Sequence, residues 1–424
     1  MPIPRRRTVL GAAAAALAAP ALAACGGEGA GGGSKTLRYT LWDQNQYPAM
    51  IKAAKEFESQ NPGVHISLEL VPYGQYWTKL QTAAIGGTAP DVAWMSTLTF
   101  QLFAAYDQLL PLSTAANAAS IGAANYPPAL VEAYAWKGQQ YGLPKDYDTI
   151  GLWYNKQLFD KAGVRYPDAT WTWSDLRDAA RKLTDKKAGV HGFAAEMSNQ
   201  SCYYDFIYQN DGFVISPDRK RSGYDNPRTV EAITFLIDMI KDGSSPSMAE
   251  IVDSGSASLF QSGKLAMTYQ GSWMTPQFAA VPLLKKYGDV TVMAKGRKRA
   301  TITNGLGNCV FRTTRNPELA KKFALFMSGK RTGEIQAEAG VVIPGYRGTE
   351  KAWLATNKQW QLQSFIDEVP YAVPFPHSIN STAWQDDEQT YLPQAWAGYD
   401  DIGDATRKLA DAMNLDLRRE ARTA

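Results

Sequence analysis

Over residues 36–95 the hydrophobic pattern switches between the period of a strand and that of a helix, and this alternation commits the chain to an α/β sheet. Residues 36–42 alternate as a strand. Residues 48–60 place Met50, Ile51, Ala54 and Phe57 on one helical stripe, and Asn61-Pro62-Gly63 ends it. Val64, Ile66, Leu68 and Leu70 alternate as a second strand, 75–85 is a helix stopped by Gly86-Gly87, and 91–95 is a third strand. Strands joined in this way run parallel with right-handed crossovers. Ligands of such sheets sit beyond the carboxyl ends of the strands, where Trp42, Asp43 and Trp94 fall.

The segment before this pattern is an address. Arg6-Arg7-Thr8-Val9-Leu10 resembles a twin-arginine export signal, with Val9 where that signal usually has Phe, and the apolar run 9–24 is too short to span a bilayer. Leu22-Ala23-Ala24-Cys25 resembles the lipobox of bacterial lipoproteins, which predicts cleavage after residue 24 and acylation of Cys25. The small residues up to Ser34 then form a flexible tether, so the folded body starts near residue 36 on the outer face of the cell membrane. An ordinary secretory signal with an incidental cysteine is the alternative.

Loss of residues 1–24 removes three arginines and no acids, so 44 basic residues become 41 against 41 acidic ones. A neutral chain whose one basic run is 295–299 lacks the cationic excess that nucleic acid requires. Cys202 and Cys309 stand too far apart in sequence to suggest a stapled scaffold. A chain of 424 residues exceeds what one core serves, so two domains are expected.

Five stretches carry a resemblance to a known family. They are Leu37 to Asp43; Gly86-Gly87-Thr88-Ala89-Pro90-Asp91-Val92-Ala93-Trp94; Tyr141 to Asp146 followed by Leu152-Trp153-Tyr154-Asn155; Phe260 to Met267 with Gly271-Ser272-Trp273; and Asn316 to Phe323 leading to Gly340-Val341-Val342-Ile343-Pro344. In this order they are similar to family 1 extracellular solute-binding proteins, which include the maltose-binding proteins. The resemblance implies a bilobed type II fold whose two α/β lobes are joined by three chain crossings. Those crossings fall near Lys145-Asp146, Ala294-Lys295 and Pro344-Gly345. Lobe one is then 36–145 with 296–343, and lobe two 146–295 with 344–424. A strand at 301–310 and a helix at 318–327 would return to complete lobe one.

The composition favours a neutral, polyhydroxylated ligand: aromatic residues are 11% of the chain, with 12 Trp and 21 Tyr, and a pyranose stacks its CH-rich face on such rings. Most such rings pack cores, and only those at strand ends are site candidates. The resemblance carries ligand contacts onto Trp42, Asp43, Gln44, Trp94 and Asp146 on one side of the cleft. On the other it carries them onto Glu196, Asn199, Tyr203, Trp273 and Trp384, with Asn304 and Gly305 on the returning segment. Asp43 reads equally as a helix cap, Asp146 as a hinge salt-bridge partner, the tryptophans as core, and Gly305 as a turn.

The expected protein is thus a monomeric, lipid-anchored receptor that captures a sugar, an oligosaccharide in first place, and delivers it to an ABC transporter permease. It needs no cofactor or metal. The alternatives are a receptor for a glycerol phosphate ester, polyamine or peptide, and an extracellular glycan-processing enzyme. Against the enzyme, Asp386-Asp387-Glu388 reads as a solvated run, and no metal-ligand spacing, nucleophile elbow or phosphate loop is present.

Overall fold

The structure is a computed structural model that describes residues 35–113 and 121–422. The signal, the lipobox and Cys25 lie outside the described residues.

Strands β1 (Lys35–Leu41), β2 (Val64–Leu70) and β3 (Val92–Ser96) form the parallel half of the first sheet, with β1 between the other two. Helix α1 (Tyr47–Ser59) starts at a proline and buries Ala49, Met50, Ala53, Ala54 and Phe57, while Ile51 sits at the edge of that stripe. Helix α2 (Tyr73–Ile85) buries Tyr76, Leu80 and Ala84. The sheet continues antiparallel: Gly305–Phe311 pairs with β3, Pro144–Tyr147 pairs with Gly305–Phe311, and Ile343–Pro344 pairs with Pro144–Tyr147. Helix Pro317–Ser328 packs on this sheet as expected, with Phe323 edge-on to Tyr39 at 5.1 Å.

The second sheet has the order Gly288–Thr291, Ile150–Asn155, Leu265–Gly271, His191–Phe193. Its strand Ile150–Asn155 is buried throughout because both faces are covered. Ile150, Leu152 and Tyr154 enter one core, and Trp153 enters another with Phe278, Trp360 and Phe365. The second lobe is therefore a sheet between two cores.

Sheet membership moves the expected crossings. Asp146 and Tyr147 still belong to the first sheet, so the first passage lies at Asp148 and Thr149. The second lies at Asn304 and not near Lys295, because Thr301–Thr303 pairs with Ala372–Pro374 and Ile302 is buried in the second lobe's core. The single strand expected over 301–310 is thus two strands broken at Asn304. That side chain accepts from the Thr97 hydroxyl at 2.8 Å and the Gly305 N–H at 2.9 Å, which turns the backbone. The first two passages are tied side by side: Asp148 N–H donates to Asn304 O, and Asn304 N–H to Asp148 Oδ1, both at 3.0 Å.

Candidate ligand-binding site

A cavity of about 560 Å³ opens between the two sheets. Its first wall is built where strands end. Trp42 to Gln46 follow β1, Ser96 ends β3, and Tyr73 and Trp77 stand one turn apart on α2. The floor is the pair of crossings, with Asp146, Tyr147, Asp148 and Asn304. The far wall carries residues 198–201, Ser272 and Trp273 after the strand Leu265–Gly271, then Phe375 and Gln385.

Aromatic rings stand on both walls. Trp42 packs against Trp77 at 5.3 Å and Tyr73 at 5.8 Å, while Trp94 supports it edge-on from below at 5.2 Å. On the far wall Trp273 depends on its neighbour: a Cβ on Gly271 would fall 1.9 Å from the indole, so the ring lies where only glycine leaves room.

The polar groups of the floor are mostly engaged. Lys145 and Asp146 form a buried ion pair, and Lys145 Nζ also donates to Gln46 Oε1 at 2.8 Å and sits 3.9 Å over the Trp94 ring. Burial pushes the Lys145 ammonium below its usual range and the Asp146 carboxyl above its own, while each opposes the other's shift. Asp148 is held well above the carboxylate range by burial, and accepts from Gln200 Nε2 at 2.8 Å. Ser272 Oγ and Gln385 Nε2 differ: both are buried, and neither has a protein partner. Among the described residues no Lys, Arg or His lines the cavity.

Of the residues singled out in the sequence, Trp42, Asp43, Gln44, Asp146, Asn199, Trp273 and Asn304 line this cavity. Asp43 also serves the turn, accepting from Asn45 N–H and Gln46 Nε2, both at 2.8 Å. Asp146 is likewise a hinge ion-pair partner. Trp94 is fully buried one layer beneath Trp42, its N–H donating to Tyr39 OH at 2.5 Å. Trp384 is also core: its N–H reaches Ser378 Oγ at 2.9 Å, and successive helical residues point about 100° apart, so Gln385 lines the cavity instead. Tyr203 is buried and donates to Glu388 Oε2 at 2.8 Å. Glu196 is outside the cavity and accepts from Ser256 Oγ at 2.5 Å. Gly305 serves strand approach, since a Cβ there would meet Asp146 O at 2.9 Å.

Tyr73, Trp77, Asp148, Ser272 and Gln385 were not among the candidates. The aromatic pair had a readable signal, two rings four residues apart at the start of a helix that follows a strand end.

The model of the bacterial extracellular solute-binding proteins matches residues 42–334, most of the chain. The chain belongs to this family. Members of the family are binding proteins, and the likeness extends along the whole fold. A substrate-binding protein of an ABC transporter from Listeria monocytogenes, solved with cycloalternan, superposes with a TM-score of 0.85 at 28% identity, covering 91% of this chain and 99% of that one. The arabinooligosaccharide-binding protein of Bacillus subtilis is 26% identical, over 74% of each chain. A maltooligosaccharide ABC transporter solute-binding lipoprotein of Streptococcus pneumoniae is 23% identical, over 95% of this chain and 94% of that one. The bilobed architecture is that of the maltose-binding structures.

Proposed function

We propose that this solute-binding protein captures a neutral oligosaccharide between its lobes and presents it to the permease of an ABC importer. The observation that carries the reading is the cavity's lining. Rings on both walls, Trp42, Tyr73 and Trp77 facing Trp273 and Phe375, suit sugar faces, and the remaining groups are hydroxyls, amides and carboxylates. A glycerol phosphate ester needs a cationic partner, and among the described residues no Lys, Arg or His lines the site. A polyamine needs free carboxylates, whereas Asp146 is paired with Lys145, and Asp148 already accepts two hydrogen bonds. An acid–base pair for glycoside hydrolysis meets the same objection. The sugars named for the relatives support the same reading.

Titration calorimetry with maltotriose, arabinotriose and galactotriose, against spermidine and glycerol 3-phosphate, tests this. At least one sugar binds and the two charged solutes do not. Trp273→Ala weakens that sugar by roughly 1–2 kcal/mol, about tenfold, through lost stacking and apolar area. Sugar binding indifferent to the loss of Trp273 would remove the cavity as the site.

We further infer that the protein acts as a monomer held to the membrane by acylated Cys25 after export by the twin-arginine route. The lipobox-like Leu22-Ala23-Ala24-Cys25 and the lipoprotein relative support the anchor. Cys25→Ser should move the protein from washed membranes to the medium with unchanged sugar affinity. Retention in membranes would refute the anchor.

A further inference from the structure

The cavity's hydrogen-bonding groups divide into those the protein has satisfied and those it has left open. On the floor, Asp146, Asp148 and Asn304 bond to one another, to neighbouring backbone or to Gln200 of the far wall. On the second lobe's wall, Ser272 is 1% exposed and its Oγ has no protein partner, and Gln385 Nε2 is buried in the same state. A buried polar atom without a partner destabilises a protein. These two are held in place regardless. Ser272 is fixed through its backbone, its N–H donating to Thr149 O at 3.2 Å and its C=O accepting from Thr275 Oγ1 at 2.7 Å. Gln385 is fixed by its neighbour Trp384, locked in the core.

We propose that Ser272 Oγ and Gln385 Nε2 are the specificity-determining contacts of the second lobe, each completed by an oxygen of the bound sugar. This rests on the cleft being the sugar site. The chemistry of the two groups defines the ligand more narrowly. Gln385 Nε2 only donates, so it requires an acceptor oxygen, and Ser272 Oγ can donate to or accept from a hydroxyl. Trp273 follows Ser272 in the chain and lines the same cavity as Gln385, so a ring stacked on the indole brings its edge oxygens among polar groups that are open only until it arrives. A site of this kind rejects an analogue lacking the hydroxyl strongly, because the protein group is left buried and unpaired.

The open state gives the test a signature that a structural role lacks. Ser272→Ala and Gln385→Leu remove polar atoms that the free protein does not use, so the free variants should melt no lower than the parent. Each should nonetheless bind the tightest of maltotriose, arabinotriose and galactotriose about tenfold more weakly by calorimetry. Gln385→Glu, which keeps the size and loses the donor, should bind as weakly as Gln385→Leu. Lower melting with intact affinity in both apolar variants would overturn the proposal by making the residues structural. If Trp273→Ala loses binding while the polar variants keep it, the sugar site stands and the proposal falls. If none of the three sugars binds the parent protein, the cleft reading and this proposal fall together.

Discussion

Lys145→Ala is expected to lower the unfolding free energy by about 3–5 kcal/mol, the cost of leaving a buried carboxylate without its cation. Lys145 and Asp146 are 1% and 4% exposed and bonded to each other, so neither can recover its loss from water. The damage should spread toward the ligand. Lys145 Nζ donates to Gln46 Oε1, which also receives Gln336 Nε2 at 3.2 Å, and Gln46 Nε2 holds Asp43 Oδ2 at 2.8 Å. This chain runs from the hinge to the first wall of the cavity. Lys145→Met with Asp146→Asn should recover most of the stability, because an apolar stem fills the space and Asn Oδ1 still accepts from Leu306 N–H. Urea unfolding followed by tryptophan fluorescence gives both numbers. A loss below about 1 kcal/mol in Lys145→Ala would mean that the pair is not buried and ionised.

What the sequence made legible follows the range of the forces that decide it. The order β1, α1, β2, α2, β3 was readable because alternation, helical stripes and Asn61-Pro62-Gly63 or Gly86-Gly87 stops act within a few residues. The break at Asn304 was not readable. It depends on Thr97 and Asp148 meeting Asn304 there, contacts between segments far apart in the chain. The rings show the same division. Trp42 follows the last residue of its strand and lines the cavity, whereas Trp94 lies inside Val92–Ser96 with two strand residues still to come and is covered. A shift of a residue or two in a strand end separates a ligand platform from a core side chain. Ser272 and Gln385 were invisible for another reason: their importance lies in bonds that are not made, which only the folded surroundings reveal.

Glu388 illustrates a signal that was present in the sequence and outweighed. As the third acid of Asp386-Asp387-Glu388 it reads as solvated, yet it lies in helical phase with Trp384 and Leu392, and all three are fully buried. Helical phase decides here, since four residues bring a side chain back to the same face. The group is held by hydroxyls: Tyr203 donates to one carboxylate oxygen, and Tyr204 and Tyr224 donate to the other.

The second large effect follows from that cluster: Glu388→Gln should gain stability relative to the parent as the pH rises from about 5 to about 8, by roughly 3 kcal/mol in total. Burial raises the carboxyl of Glu388 from its ordinary 4.5 to about 7, against the three tyrosine hydrogen bonds that favour the anion. The folded chain therefore holds a proton that the unfolded chain has released over this interval. Stability from that difference is complete below 4.5 and is lost as the pH passes through about 7. Glutamine cannot titrate, and its amide keeps an oxygen for the tyrosine donors. Asp148, Asp205 and Glu368 are also buried acids with raised values, and they remain in both proteins, so their contribution cancels in the comparison. Glu388→Ala instead should be less stable at every pH, because three buried hydroxyls lose their acceptor. Denaturant unfolding of the three proteins across this range is the measurement. A parent-minus-Gln difference that stays flat with pH would mean that Glu388 does not change its protonation on folding.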